Sequence, residues 1–382
     1  MLLTKDQVDL QDAARRFSRE KLLPRYQERE HDARMDHGLL REMGALGLIA
    51  MDLPEHLGGM GADAVTTGLV IEELSYGDFN IGAVVVVQSL CGAILARNAH
   101  DHLKQDWLPK VCKGEALVAL AVTEPHAGSD ASAMRLAARR EADCYVLSGE
   151  KTSITYSDCA DAFVVFARLE AGSQNSGGIT AFFVPRTMPG LSTTRFSDVG
   201  SHISGRGSVF FDEVRIPLEN RIGDEGKGFS QVMAGFDYSR ALIALQCIGA
   251  AQASVNEAWT YAQEREAFGV PIVRHQGVSF PLAEADTLLA AARQLSLHTL
   301  ALRDAGQPHT VEAAMVKWFA PRTAFDVIHQ CLLTFGHYGW TMDLPHQQRL
   351  RDVMGLEIGD GMANIMKMII SRSRAGNAAN SR

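Results

Sequence analysis

The sequence predicts a mainly α-helical protein with a central β domain, and three observations carry that prediction. Apolar residues recur at helical spacing through the first part of the chain. From about Leu117 to Asn220 they give way to short β-branched and aromatic runs separated by Gly, Pro, Ser and Asp. Beyond that no proline stands between Pro217 and Pro271, where one apolar face can persist over an unusual length. The expected organisation is an N-terminal helical domain over 1–117, a middle antiparallel β sandwich or barrel over 118–224, and a C-terminal four-helix bundle over 225–382.

In the first zone helical patterns cover 7–21, 37–48, 64–77 and 81–98, broken by the loop Pro54-Glu55-His56-Leu57-Gly58-Gly59-Met60-Gly61. In the second the clearest strands are 162–166, 179–184 and 208–211. In the third, Phe229, Val232, Met233 and Phe236, then Ile243, Cys247, Ala251, Val255 and Trp259, return at three- and four-residue steps on one helix face. Further helices are expected at 281–305, 311–335 and 361–373. Pro281 suits the start of its helix, whereas Pro321 should bend or interrupt the one it sits in.

Composition narrows the function classes. The 382 residues are 46% hydrophobic and 21% charged, which excludes a disordered or fibrous chain and allows two or three domains. With 37 Lys plus Arg against 45 Asp plus Glu the formal charge is −8, and no long basic run is present. Neither nucleic acid nor an anionic membrane surface is expected as the main partner. The longest apolar stretch, 81–96, is interrupted by Gln88, Ser89 and Gly92 and falls short of the roughly 20 residues of a membrane span. The segment from Met1 to Gln7 turns polar before a signal-peptide core can form. Six cysteines without a Cys-x-x-Cys pair read as buried thiols in a reducing compartment, so a cytoplasmic location is expected.

The segment Ala121-Val122-Thr123-Glu124-Pro125-His126-Ala127-Gly128-Ser129-Asp130 follows the first expected strand with a dense set of hydroxyl and turn residues. Such a loop can grip a polar ring edge, or be a β-turn in which Ser and Asp satisfy local backbone groups. Other distinctive segments are Pro54-Glu55 followed by Gly58-Gly59, Leu147-Ser148-Gly149-Glu150-Lys151 followed by Ile154-Thr155, and Phe211-Asp212-Glu213-Val214-Arg215-Ile216-Pro217. Glu264-Arg265, Phe268-Gly269, Gln276, Gly336-His337-Tyr338-Gly339, Pro345 and Arg351-Asp352 come later. A nicotinamide fold is not favoured, because Gly58-Gly59-Met60-Gly61 and Gly226-Lys227-Gly228 lack the strand, glycine spacing and downstream acid of a dinucleotide fingerprint.

In order and spacing these segments resemble the acyl-CoA dehydrogenase family from the N-terminal helices almost to the end of the chain. The resemblance implies a helical, β, helical domain order, assembly as a homotetramer, and noncovalently bound FAD. It also implies that Val122, Thr123 and Ser129 hold the flavin edge and that Thr155 meets the reactive end of the ring. Arg265, Phe268 and Gln276 are implied to contact the diphosphate and adenosine part of a neighbouring subunit's FAD. By its residue type alone Arg265 would be an ordinary exposed arginine. Ser153 stands where many relatives stack tryptophan on the flavin, and Leu333 where a glutamine commonly assists the adenine. His337 replaces the second glycine of a Gly-Gly-x-Gly segment, and either faces the neighbouring FAD or caps a turn.

The reaction this implies removes an α proton from an acyl-CoA thioester while the β hydrogen leaves as hydride to flavin N5. It needs one carboxylate and hydrogen-bond donors to the thioester oxygen, which in the family are a ribityl hydroxyl and the catalytic residue's own N–H. Counted from Pro345 and Arg351-Asp352, the family's catalytic glutamate falls on Asp360, followed by Gly361 at the substrate and Met362 at the cofactor. Aspartate keeps the base and shortens it by one methylene, about 1.5 Å of reach. Read locally, Asp360 is equally a helix N-cap before Met362, Ile365, Met366 and Ile369. The base position of some relatives is Ser239 here, which cannot replace a carboxylate.

Aspartate at this position, with the segment from Cys331 to Gly339, is similar to the branch acting on alicyclic thioesters such as cyclohexanecarbonyl-CoA. Asp237, Tyr238 and Arg240 match the region that binds CoA and the thioester-proximal chain, and Ser129 borders substrate as well as flavin; Asp237 with Arg240 also reads as a solvated helix ion pair. The expected electron acceptor is an electron-transfer flavoprotein. The alternatives are a straight- or branched-chain dehydrogenase, a nitroalkane-oxidase-like flavoenzyme passing electrons to oxygen, and a non-catalytic assembly scaffold.

Overall fold

The structure is a computed structural model and describes residues 3–169 and 175–376. Its N-terminal helices are α1 (Lys5–Phe17), α2 (Tyr26–Asp32), α3 (His37–Ala45), α4 (Ala64–Gly77), α5 (Phe79–Asn98) and α6 (Asp101–Cys112). Their starts follow from side-chain caps. Thr4 and Gln7 form a capping box at α1, and Asp63 accepts from Thr66 N at 2.6 Å to open α4. Asp78 ends α4 by donating its N–H to Leu74, then opens α5 by accepting from Asn80 N at 2.9 Å and Ile81 N at 3.2 Å.

The apolar run of α5 extends further than the sequence reading allowed. At 20 residues it is long and apolar enough to cross a membrane by length and composition, but 78% of its most apolar 18-residue stretch is buried inside the protein. Its polar interruption has a structural cause. The buried Gln88 donates to Val118 O at 3.1 Å and accepts from Val118 N at 3.0 Å, so one side chain supplies both main-chain partners at the start of the first strand.

The middle of the chain forms one eight-stranded sheet from β1 (Val118–Ala121), β2 (Ala137–Arg140), β3 (Cys144–Ile154), β4 (Ala162–Leu169), β5 (Ile179–Pro185), β6 (Leu191–Thr193), β7 (Gly207–Pro217) and β8 (Arg221–Ile222). Strand order is β6-β7-β3-β2-β4-β5-β8, with β1 also on β4. Pairing is mixed rather than wholly antiparallel: β1 and β2 both run parallel to β4, at Val118 to Ala121 and at Ala137 to Ala138. Two long side-by-side antiparallel pairs, β3 with β7 and β4 with β5, supply most of the ladder.

The C-terminal part opens with α7 (Gly228–Glu264), the 37-residue helix expected from the missing prolines. A two-stranded hairpin follows, β9 (Glu266–Ala267) with β10 (Val270–Pro271), and then α8 (Gln276–Asp304), α9 (Thr310–Thr334), α10 (His346–Ile358) and α11 (Ala363–Ala375). Helix α7 packs against α4, α5, α8 and α9 and so joins the two helical regions. The crossing with α4 is close enough that a Cβ on Gly249 would lie 2.2 Å from Glu72 O. Pro281 does not start its helix, and Pro321 does not interrupt the one it sits in. Pro281 lies in the second turn of α8, which starts at Gln276, and Pro321 lies inside α9, which stays helical on both sides of it. Tertiary packing on both flanks outweighs the missing hydrogen bond.

Candidate active site

One wall of the site is built at the ends of β1 and β3. Thr152 N donates to Thr123 O at 2.9 Å, so the loop after β1 lies against the end of β3. Beneath it Lys151, 0% exposed, donates to Val122 O and to Glu124 Oε1, each at 2.8 Å. Glu124 also accepts from Arg135 N at 2.6 Å and Leu136 N at 2.9 Å. Burial raises the Glu124 carboxyl, but Lys151 and the two N–H donors outweigh it and hold it below its ordinary value. Ser153 falls at the register break of β3 with a left-handed φ of 60°, which turns the chain outward so that Ser153 is exposed and Thr155 half-buried.

The hydroxyls of Thr123, Ser153 and Thr155 have no hydrogen-bond partner among the described residues, and Ser129 Oγ reaches only Met362 Sδ, at 3.7 Å. Three unengaged hydroxyls and one held only by a thioether suit the alternating donors and acceptors of a flavin's polar ring edge. Val122 contributes main chain, its side chain being buried.

The facing wall comes from α7 and the turn between α10 and α11. Asp360 has φ 53° and Gly361 φ 107°, so two successive left-handed residues swing the chain from α10 back toward α7. Aspartate tolerates this conformation better than most side chains. Glycine suits position 361 because its φ disfavours any Cβ, and a Cβ there would also push the end of the Met366 side chain aside. Asp360 Oδ2 accepts from Ser239 Oγ at 3.3 Å, and Arg240 Nε donates to Asp360 O at 3.4 Å. Arg240 Nη1 pairs with Asp237 Oδ1 at 3.0 Å, and Thr310 Oγ1 donates to Asp237 Oδ2 at 2.6 Å. Burial raises the Asp360 carboxyl, and Lys317, Arg240 and the Ser239 hydroxyl pull it only part of the way back.

The N-cap reading of Asp360 fails. The residue before α11 is Met362, with no side-chain cap, and the Asp360 carboxylate faces α7 instead. Its main-chain N–H has no acceptor among the described residues, which leaves a donor beside the carboxylate. The contact between Ser129 and Met362 brings this wall to the loop after β1, so Ser129 stands beside the turn that carries Asp360 and Gly361.

Tyr238 is not brought to the site. It is 2% exposed, its hydroxyl donates to Asp52 Oδ2 at 2.9 Å, and the Arg303 guanidinium lies 3.7 Å from its ring centre. A helix position one residue from Ser239 points about 100° away, which puts this ring in the core rather than in a substrate wall.

Arg265, Phe268, Gln276 and His337 gather at the opposite end of α7. Arg265 follows the last turn of α7 and is exposed, with no partner for its guanidinium among the described residues. Phe268 is 97% exposed at φ 54°, with its ring edge on His275, and Gln276 begins α8, exposed. His337 is exposed and stacks on Tyr338, two residues after Phe335, whose ring stacks on Tyr261 of α7. Among the described residues no hydrogen bond or ion pair joins this group to Asp360. A free guanidinium beside an almost fully exposed ring matches the charge and flat surface of a nucleotide diphosphate, which supports a site completed between chains.

The sequence reading missed three contributors. Ser239 supplies a hydroxyl to the Asp360 carboxylate, the Lys151 and Glu124 pair underpins the loop after β1, and Lys317 reaches the Asp360 turn from α9. Lys317 left a signal in the sequence: a lone lysine among Ala313, Ala314, Val316 and Ala320 on the apolar face of a helix.

Known proteins match the chain domain by domain. Residues 4–115, 119–214 and 226–374 match the N-terminal, middle and C-terminal domains of acyl-CoA dehydrogenase. The chain is 33% identical to the short-chain specific acyl-CoA dehydrogenase of Clostridium acetobutylicum, over 97% of this chain and 98% of that one. It superposes on butyryl-CoA dehydrogenase from Megasphaera elsdenii with a TM-score of 0.94 and 32% identity, over 98% of this chain and 100% of that one. For a glutaryl-CoA dehydrogenase from Mycobacterium smegmatis in complex with FADH2 the TM-score is 0.92 and the identity 26%, over 98% of this chain and 95% of that one. The chain belongs to the acyl-CoA dehydrogenase family. It is an FAD-dependent oxidoreductase that acts on acyl-CoA.

Proposed function

We propose that Asp360 is the base that removes the α proton of the thioester, and that the acyl group carried by CoA is alicyclic. The observation that carries the first part is the seat of Asp360: a carboxylate held on α7 by Ser239, with Arg240 donating to the residue's main-chain carbonyl, one residue from the Gly361-Met362 link to Ser129. Bound FAD supplies the hydride acceptor. Val122, Thr123, Ser129, Ser153 and Thr155 seat its ring, while Arg265, Phe268, Gln276 and His337 of another subunit grip its nucleotide end. Arg240 and Asp237 border the CoA side. The unengaged N–H of Asp360 donates to the thioester oxygen, which makes the α proton acidic enough for a carboxylate to take. A carboxyl raised by burial is a better match to neutral pH than an exposed one. The enzyme works as a cytoplasmic homotetramer and passes its electrons to an electron-transfer flavoprotein.

The alicyclic reading rests on the shorter base. One methylene less returns about 1.5 Å to the substrate beside the α carbon, where a ring is wider than a straight chain. A straight short acyl chain is the second reading, favoured by the 33% identity to a short-chain specific relative. Anaerobic flavin bleaching with cyclohexanecarbonyl-CoA, butyryl-CoA, a branched thioester and a nitroalkane separates these. Fastest bleaching by the cyclic thioester is expected; clear preference for butyryl-CoA removes the ring, bleaching by the nitroalkane alone removes the thioester, and a colourless protein that takes up no FAD leaves only a scaffold. Asp360→Asn should stay yellow and bind thioester while losing flavin reduction by at least about a thousandfold; rapid reduction in that variant would exclude Asp360.

A further inference from the structure

We propose that Lys317 is a positioning residue for proton transfer, holding the turn that carries Asp360 from both ends and favouring the ionised, proton-accepting form of its carboxyl. The inference rests on Asp360 being the base. Lys317 lies midway along α9 and is 1% exposed. Its Nζ donates to Leu356 O at 2.6 Å and to Gly361 O at 3.2 Å. Leu356 belongs to the last turn of α10, whose carbonyls lack helical partners, and Gly361 directly follows Asp360. One cation therefore ties the entry and the exit of the turn. Two left-handed residues in succession are an uncommon backbone, which persists only where its surroundings fix it.

A helix end alone does not require this arrangement. An exposed lysine can cap the last carbonyls of α10 without being desolvated, whereas a buried ammonium bonded to main chain carries a large desolvation cost. Burial pushes the Lys317 ammonium down to about 8, and Asp360 is the foremost influence pulling it back up. The same attraction acts on Asp360, whose carboxyl it lowers. Around the two groups stand Arg240 and Asp237 from α7, Cys247 deeper on α7, Cys91 from α5 and Glu357 from α10. Of these only Arg240 shares the sign of Lys317, and its guanidinium is already committed to Asp237 at 3.0 Å. Lys317 neither gives nor takes a proton in the reaction; it acts through the carboxyl.

The test uses the FAD-loaded enzyme with Lys317→Met, Lys317→Gln and Lys317→Arg beside Asp360→Asn. Two quantities are followed against pH: the rate of anaerobic flavin reduction by the thioester that serves the parent, and, without substrate, the infrared carboxyl band identified by its loss in Asp360→Asn. Removing the charge should move the acid limb of the rate to higher pH, making Lys317→Met on the order of tenfold slower below the limb and within about threefold of the parent on the plateau. Lys317→Gln, which keeps a donor without the charge, should show the same displacement with a smaller plateau loss, and Lys317→Arg should leave the limb in place. The carboxyl band should titrate at higher pH in the Met and Gln variants. A uniform loss at every pH with limb and band unmoved would reduce Lys317 to a helix cap and overturn the inference while a dead Asp360→Asn leaves the base intact. Rapid reduction in Asp360→Asn would overturn both. If the Met variant fails to fold, the Gln variant decides.

Discussion

Replacing Lys151 by methionine should damage both the middle domain and its grip on FAD. The ammonium is fully buried and bonds to Val122 O and Glu124 Oε1 at 2.8 Å each. Methionine fills similar volume and removes both bonds. Glu124, itself only 3% exposed, then keeps two main-chain donors and no permanent opposing charge, only the His126 imidazole 3.5 Å from its Oε2, and Val122 O loses its side-chain donor. Breaking one side of a buried ion pair typically costs about 3–5 kcal/mol, and the orphaned carbonyl, about 1–3 kcal/mol by itself, overlaps with that figure rather than adding to it. A loss of about 3–5 kcal/mol is therefore expected in urea unfolding followed through flavin fluorescence. Because Val122 and Thr123 sit on the same loop, FAD should also bind at least about tenfold more weakly in equilibrium dialysis. Adding Glu124→Gln removes the stranded charge while keeping an acceptor for Arg135 N or Leu136 N, so the double variant should recover part of the stability. If Lys151→Met lies within about 1 kcal/mol of the parent, or the double variant is worse by the full sum of both losses, the pair does not underpin the loop.

His346 should make the protein sensitive to mild acid. It is fully buried, its Nδ1 meets Ser254 Oγ at 3.2 Å, and burial lowers its pKa to about 4, with Glu257 opposing and Arg349 adding to the shift. The folded state favours neutral imidazole, so its contribution is complete above the ordinary value of 6.5 and is lost as pH falls toward about 4, reaching about 3 kcal/mol there. His346→Asn should flatten the difference in unfolding free energy between pH 7.5 and pH 4.5; an unchanged slope counts against it. Arg265→Ala should weaken FAD binding by about 10- to 100-fold, the worth of a charge-assisted bond, with less dependence on salt than the parent shows. Unaltered binding in dialysis would detach Arg265 from the diphosphate.

The long-range features were legible where one physical signal dominated. Helix α7 could be read because a continuous apolar face and 53 proline-free positions between Pro217 and Pro271 leave few alternatives. Pro281 and Pro321 misled because proline penalties are local, whereas α8 and α9 are held by packing along their whole length. Helix α10 escaped because its polar residues, among them Gln348, Arg349 and Asp352, are buried in hydrogen bonds to Tyr26, Glu257 and Ser201, which periodicity scores as exposed surface. Asp360 was singled out by motif, yet its local reading as a cap was wrong because the left-handed turn at Asp360 and Gly361 cannot be seen in residue types alone. Lys317 and the clamp on Glu124 act across more than two dozen positions of sequence, beyond the reach of any local pattern.

The sulfur-to-hydroxyl touch between Met362 and Ser129 has a consequence for how such an enzyme is switched off. Asp360 is anchored to the helices and the loop after β1 to the sheet, so neither needs to be altered for turnover to stop. A relative slide of about 1 Å between these two bodies would stretch the path of both hydrogens together, enough for a loss on the order of a hundredfold. Mutations along that seam, distant from every reacting atom, would then read as catalytic defects in an enzyme whose colour and fold are intact.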